Sequence, residues 1–394
     1  MTYSILTVNA GSSSLKCALY QVSGQQLTAE YKIKLGNLLD TPRGQLKQLT
    51  TGKQTLFDFD FSQVAAADRH EAALRHILDW LSSQQSIAPL QAVGHRIVHG
   101  GHQFDKPMRI SPQLREQMAQ LIPLAPLHQP FNLKLVDACH ELAPEIPQIA
   151  CFDTMFHTSI PELESLYAIP KTYRDAGIRR YGFHGLSYAY IQRQLQQIGT
   201  GQVNTVICHL GAGASMCAVK QGLSIASSMG FTAVEGLPMG SRSGSLDPGV
   251  LLYLQRHYHM DTDALENMLY KESGWLGISG LSSDMLSLHN AQNPDAETAI
   301  DYFCYRAALE IGRLSAALEG LEQLVFTGGV GENDADVRQR ILTRCQWLGI
   351  KINREENSRG AALISHHDSD IPVRVIATNE EAMLAHYTME VLSP

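Results

Sequence analysis

Two segments of this chain carry one pattern: N-A-G-S-S-S-L-K-C-A-L over residues 9–19 and H-L-G-A-G-A-S-M-C-A-V over residues 209–219. Side by side, Gly11 meets Gly211, Cys17 meets Cys217, Ala18 meets Ala218 and Leu19 meets Val219. Each segment follows a short apolar run and leads into another, so both read as strand, glycine-bearing turn, strand. A repeat at this separation predicts that each half of the chain builds the same hairpin, on related domains that face each other.

The remaining pattern agrees with two α/β domains. Short β-branched runs predict strands over 4–8, 15–20, 91–98, 147–152, 204–210, 215–220, 323–327 and 372–377. Amphipathic spacing predicts helices over 70–83, 112–122, 131–142, 185–197, 248–257, 298–318, 335–347 and 380–391. The first is typical, with Leu74, Ile77, Leu78 and Leu81 on one stripe. A length of 394 residues at 44% hydrophobic content is enough for two cores. The net charge of −8 argues against a nucleic-acid or anionic-membrane surface, although a few arginines can still dominate a small anion site. The seven cysteines are odd in number and contain no C-x-x-C, which speaks against a disulfide framework or a zinc cluster and for a reducing compartment. With no secretory leader pattern and no apolar run of bilayer length, the expectation is a cytoplasmic protein without membrane contact.

A turn rich in Asn, Gly and Ser exposes successive backbone N–H groups and hydroxyls, which together cradle an anion. Lys16 follows as a point charge for a phosphate oxygen. The segment is not a P-loop, because that motif runs from strand into helix and this one continues as a strand. A solvated hairpin with serines for solubility explains the segment equally well by itself. Two further loops shift the balance. F-T-G-G-V-G-E-N over 326–333 follows an apolar run and precedes a helix beginning near Ala335, which suits close approach of a phosphate. M-G-S-R-S-G-S-L-D-P over 239–248 places Arg242 in a flexible, donor-rich loop. Three such segments favour nucleotide binding.

These segments belong to a longer series: V-N-A-G-S-S-S-L-K (8–16), H-R-I-V-H-G-G (95–101), A-P-L-H-Q-P (125–130), C-F-D-T-M-F-H (151–157), R-R-Y-G-F-H-G (179–185), H-L-G-A-G-A-S (209–215), the 239–248 and 326–333 loops, and A-T-N-E-E (377–381). In their order and their spread over the whole chain they resemble the acetate/propionate kinase family of the actin-like ATPase superfamily. The resemblance implies an α/β fold of two duplicated actin-like (ribonuclease H-like) domains with a nucleotide cleft between them. It puts the first at 1–153 plus 381–394 and the second, for nucleotide binding and dimerisation, at 154–380. The implied reaction is direct in-line transfer of the ATP γ-phosphoryl group to acetate, giving acetyl phosphate and ADP, with Mg²⁺ or Mn²⁺ and a homodimeric enzyme.

Carried over residue by residue, the resemblance makes Arg96 the carboxylate-binding arginine and Arg242 the group facing transition-state charge, both suited by their planar fork. His184 becomes a donor to the phosphoryl oxygens. Asp153 is assigned to Mg²⁺ or its water shell rather than to proton abstraction, since a carboxylic acid is already ionised near neutral pH. Asn9 and Glu380 are the other metal-side residues; alone they would read as a turn Asn and a helix-start Glu. Lys16, His209, Leu210, Gly211, Ala212, Gly213, Asp284, Met285, Leu286, Gly328, Gly329, Val330, Gly331 and Glu332 are implied to hold the nucleotide. Val98, Leu127 and Phe183, with Ala233, would line the acid pocket. His157, four residues after Asp153, reads as structural.

The chain departs from the family pattern at Ala212, where Asn is usual, at Leu286, where Arg is usual, at His102, where an acid is usual, and at Ala233, where Pro is common. The first two leave the phosphoryl donor open. Val98 favours acetate while Ala233 readmits a methylene, so propionate is the alternative acid. A non-metabolic actin-like ATPase switch and a sugar kinase are further alternatives; neither explains Arg96, His184 and Arg242 beside an apolar pocket.

Overall fold

The computed structural model describes residues 2–11, 14–38, 40–57 and 60–393. The chain divides into two compact units, Met1–Met155 with Asn379–Pro394, and Phe156–Thr378. Ser12 and Ser13, the middle of the expected serine cradle, lie outside the described residues.

In the first unit the strands are β1 (Thr2–Ala10), β2 (Leu15–Ser23), β3 (Gln26–Gly36), β4 (Arg43–Gln48), β5 (Gln54–Phe57), β6 (Leu90–Ile97), β7 (Met108–Arg109) and β8 (Gln148–Phe152). They form one sheet in the order β5-β4-β3-β2-β1-β6-β8-β7. Strands β1 to β5 are an antiparallel meander, while β6 runs parallel to β1 and β8 parallel to β6. Strand β1 is buried on both faces. Leu6, Val8 and Ala10 meet Leu74, Ile77 and Leu81 of the helix Arg69–Ser83 and Leu135 and Cys139 of the helix Gln129–Leu142. Ile5, with Ala18, Tyr20 and Val22 of β2, meets Ala385 of the last helix, Glu380–Leu392. Each such Leu or Ile contributes about 1.5–3 kcal/mol of burial, which fixes the register and therefore the face on which each polar residue emerges.

The second unit carries β9 (Thr205–His209), β10 (Ser215–Lys220), β11 (Leu223–Ser227), β12 (Gln323–Thr327) and β13 (Val373–Val375), in the order β11-β10-β9-β12-β13. Strand β10 is antiparallel to β9, β11 antiparallel to β10, β12 parallel to β9 and β13 parallel to β12. The same order and directions hold for β3-β2-β1-β6-β8, so the repeat extends from one hairpin to a five-strand frame. Tyr188, Ile191 and Leu195 of the helix Gly185–Gln197 pack on Ile207, Cys217, Val219 and Val325. The helix Pro294–Ala317 packs against β9, β10 and β11 and buries Phe303, Ala307 and Ile311.

The hairpins differ by one residue. Cys17 pairs with Val8, but Cys217 pairs with Ile207 rather than with Cys208. The ungapped alignment of 9–19 with 209–219 is therefore one residue out on the first strand, because the second turn is longer. The counterpart of Asn9 in the sheet is Cys208, not His209.

Candidate functional site

In the first unit three parallel strand ends deliver the polar groups. Asn9 is the penultimate residue of β1, Arg96 that of β6, and Asp153 directly follows β8. The carboxyl edge of parallel strands is where open α/β sheets place ligands. Arg96 Nη1 donates to Asn9 Oδ1 at 3.0 Å and Nη2 to Asp153 Oδ2 at 2.7 Å. Asn9 Nδ2 donates to Glu380 Oε2 at 3.3 Å, tying in the first residue of the last helix. Asn379 caps that helix, its side chain accepting from the Ala382 N–H at 3.1 Å.

The Asp153 side chain is 1% exposed and that of Arg96 19%. Burial works against the Arg96 charge, but the carboxylates of Asp153 and Glu380 outweigh it and hold the guanidinium pKa above its ordinary value. Burial also pushes the Glu380 carboxyl up; Arg96 and Lys16 pull it down, Asp153 and Glu381 push it up, and the net direction is upward. Arg96 Nε is buried and donates to no partner among the described residues. An orphaned buried donor costs about 1–3 kcal/mol, so this edge of the fork suits an incoming acceptor.

The Asp153 and Glu380 carboxylates and the Asn9 amide oxygen are an all-oxygen set, which fits Mg²⁺. Among the described residues no three His, Cys, Asp or Glu side chains gather as a metal cage.

The turn after β6 is locked by residues that the sequence reading passes over. Asn132 Oδ1 accepts from the Val98 N–H at 3.0 Å, Gln129 Oε1 from the His99 N–H at 3.2 Å, and Thr154 Oγ1 from the Gly100 N–H at 3.0 Å. Gln129 sits inside the A-P-L-H-Q-P segment, so the motif contained the signal. His70 Nε2 lies 3.0 Å from the Gly11 carbonyl and steadies the first turn. Lys16 is exposed on β2, paired in register with Asn9, and acts on Glu380 only through charge. Val98 is buried and Leu127 half-buried in the turn before Gln129–Leu142.

The second unit is built differently. A cavity of about 540 Å³ is lined by Gly211, Ala212, Asp284, Met285, Leu286, Gly329 and Val330, with Trp275 and His289 added by the fold. Its volume suits a small organic ligand. Segment 328–333, expected to lead into a later helix, is itself a short helix, Gly328–Asn333. The Val330 and Gly331 N–H groups donate to the Leu210 carbonyl at 2.8 and 3.0 Å. Gly328 has φ +78°, and a Cβ there would lie 2.7 Å from the Leu210 oxygen. Glu332 Oε1 accepts from the Gly328 and Thr378 N–H groups at 2.9 and 3.0 Å, so this carboxylate braces the frame. Asp284 caps the helix Met285–Asn290 through Ser287, Leu286 is exposed at the cavity mouth, and His289 Nε2 lies 2.8 Å from Asp334 Oδ2.

His184 has φ 59°, a left-handed conformation that costs a non-glycine residue about 1–2 kcal/mol. Its ring stacks on His209 with centroids 4.4 Å apart, and its Nδ1 lies 2.8 Å from Ser215 Oγ. A Cβ on Gly213 would lie 3.5 Å from His184 Nε2. Phe183 is buried, its carbonyl 2.9 Å from His157 Nε2, and His157 Nδ1 lies 2.8 Å from Ser224 Oγ; His157 is thus structural, as its sequence context suggests. Arg242 Nη1 donates to the Ala233 carbonyl at 3.1 Å. The loop around Arg242, expected to be flexible, instead spends its backbone donors on protein carbonyls: Gly240 N–H on Ala212 and Ser243 N–H on Leu269, both at 3.0 Å.

Residues 4–386 match the Acetokinase family. An acetate kinase of Methylocella silvestris is 42% identical over 100% of this chain and 98% of its own length. One of Rickettsia felis is 44% identical over 98% and 99%. The crystal structure of a propionate kinase from Francisella tularensis superposes with TM-score 0.92 at 33% identity, over 99% of this chain and 100% of its own. That of Porphyromonas gingivalis acetate kinase does so with TM-score 0.88 at 35% identity, over the same shares.

Proposed function

The chain belongs to the Acetokinase family, and on that premise we propose that it transfers the γ-phosphoryl group of ATP to acetate, reversibly and in one in-line step, giving acetyl phosphate and ADP. The observation that carries this reading is the Arg96 guanidinium, held by Asp153 and Asn9 with its Nε still unbonded. A guanidinium so fixed keeps its charge and Nε for an anionic acceptor, which suits a carboxylate better than a neutral sugar hydroxyl.

Phosphoryl transfer needs little covalent chemistry from a protein; it needs alignment and positive groups on the equatorial oxygens. Arg96 orients the carboxylate. Arg242 and His184 act on the phosphoryl oxygens, and Lys16 on a phosphate. Asp153, Glu380 and Asn9 would hold Mg²⁺, which supplies charge neutralisation on the phosphates. Acetate is ionised well below neutral pH, so no residue has to remove a proton. The cavity lined by Ala212, Met285 and Leu286 takes the nucleoside.

Val98 bounds the methyl end of the acid, and one methylene is worth only about 1–3 kcal/mol there, so propionate follows as a slower substrate. The helix Pro248–Tyr258 buries none of its residues and exposes Leu252 and Tyr253, which supports homodimerisation through the second unit. All seven cysteines are free and buried, which suits a reducing cytoplasm. Among the described residues no helix is long and apolar enough to cross a membrane.

The test is to trap acyl phosphate as hydroxamate with ATP, Mg²⁺ and acetate, propionate, butyrate or glucose. Acetate should give most, propionate less and glucose none. Absence of product from every acid would end the carboxylate-kinase reading.

A further inference from the structure

We propose that Gly274 and the single π-helical turn before it, Met268–Glu272, form a backbone clamp that sets the position of Arg242; the inference rests on the role given to Arg242 above. Arg242 sits in a tight turn, closed by the Met239 N–H donating to its carbonyl at 3.0 Å. The turn is strapped to the segment 269–276 from end to end. Ser243 N–H donates to the Leu269 carbonyl, Ser273 N–H to that of Ser241 and Leu276 N–H to that of Gly240, each at 3.0 Å, and Trp275 N–H to that of Met239 at 2.8 Å. Ser241 Oγ adds a bond to the Tyr270 carbonyl at 2.9 Å.

Leu269 and Tyr270 stand in the last turn before the chain leaves the helix at Ser273, whose φ is −100° and ψ −156°. Carbonyls there have no intrahelical partner, which leaves them to the Arg242 loop. Gly274 is the point where the clamp touches the arginine itself. It has φ +63°, and a Cβ there would lie 2.0 Å from the Met239 oxygen and 2.7 Å from the Arg242 oxygen. Any side chain must therefore displace the Arg242 carbonyl, which closes the arginine's own turn, and the Met239 carbonyl, which accepts from the Trp275 N–H. At its other side the loop is fixed to the cavity wall by the Gly240 N–H on the Ala212 carbonyl at 3.0 Å.

Gly280, which ends the helix Gly274–Ser279, supplies an internal control. Its φ is +64°, so an alanine pays the same conformational cost, but a Cβ there meets nothing within 4 Å. Hydroxamate-coupled turnover, the acetate KM and the ADP dissociation constant should be measured for Gly274→Ala, Gly280→Ala and Arg242→Ala. A displacement on the order of 1 Å should lower kcat of Gly274→Ala about 10²-fold below Gly280→Ala. The ADP dissociation constant should stay within about threefold, since the loss falls on the chemical step. Equal turnover of the two glycine variants would overturn the clamp. Full turnover of Arg242→Ala would remove the role on which the inference rests. Should Gly274→Ala fail to fold, Ser241→Ala, which deletes one strap, should lower kcat by roughly 3- to 10-fold at unchanged ADP affinity. Unchanged kcat in Ser241→Ala would then overturn it.

Discussion

The frames β3-β2-β1-β6-β8 and β11-β10-β9-β12-β13 have the same order and directions, yet their carboxyl edges are furnished differently. The first unit's edge carries polar side chains: Asn9, Arg96, Asp153 and Glu380 are joined in one bonded chain. The second presents backbone and shape along Leu210, Gly211 and the Gly328–Asn333 helix, closed most tightly at Gly328, where a Cβ would lie 2.7 Å from the Leu210 oxygen. The frame fixes where an edge lies. The residue at each register position decides whether that edge carries charge or a smooth face, and the extra residue in the second turn puts Cys208 where the first unit has Asn9. Changes of side chain should therefore damage the first unit's edge, while the wall around Leu210 and Gly328 in the second unit should be most sensitive to changes of shape.

The largest expected difference is in acid. Burial lowers His95 and His99 to about 4, and lowers His70 as well; all three lie in the first unit. Because the unfolded imidazoles take up protons first, this stability is complete above about pH 6.5 and drains away as pH falls towards 4. The loss for His95 and His99 is on the order of 3 kcal/mol each. Hydrogen exchange at pH 5 should open β1 and β6 before β9 and β12. Simultaneous opening would break the comparison.

Glu380→Gln is next. Removing one carboxylate from the all-oxygen set should raise the Mg²⁺ concentration for half-maximal rate by about 10- to 100-fold. Metal-free ADP should bind as before. Since the Glu380 carboxyl titrates above its ordinary range, protons compete with the metal earlier than at a normal glutamate, and the variant should lose that part of the acid limb. Weakened metal-free ADP binding would contradict a purely metal-side Glu380.

The smallest effect belongs to the cavity mouth. Leu286 is 68% exposed there, and Leu286→Arg adds the donor that the family usually has. ATP affinity should rise by about 1 kcal/mol, roughly fivefold, with the acetate KM unchanged. A changed acetate KM would blur the division of labour.

The sequence showed the parallel core strands and the helices that cover them, because Leu74, Ile77 and Leu81 write their period plainly. It hid β3, β4 and β5: Gln26, Glu30, Lys32 and Lys34 on β3 and Arg43, Gln45 and Lys47 on β4 leave the apolar signal thin. Arg96 and Glu380 were named through the resemblance of H-R-I-V-H-G-G and A-T-N-E-E to the family series, and Asp153 also through its place at the end of an apolar run. Asn132, Trp275 and Gly274 were not, since each acts through a contact far along the chain. The second turn's extra residue was equally invisible, as strand pairing is set by packing rather than by aligned letters.

The most direct test of the central claim pairs two measurements on Arg96→Ala: hydroxamate-trapped acetyl phosphate and the ADP dissociation constant. If the first unit's charge cluster receives the carboxylate, kcat/KM for acetate should fall by about 10³-fold while ADP binds within about twofold of wild type. Acetyl phosphate formed at the wild-type rate, or a matching loss of ADP affinity, would contradict it.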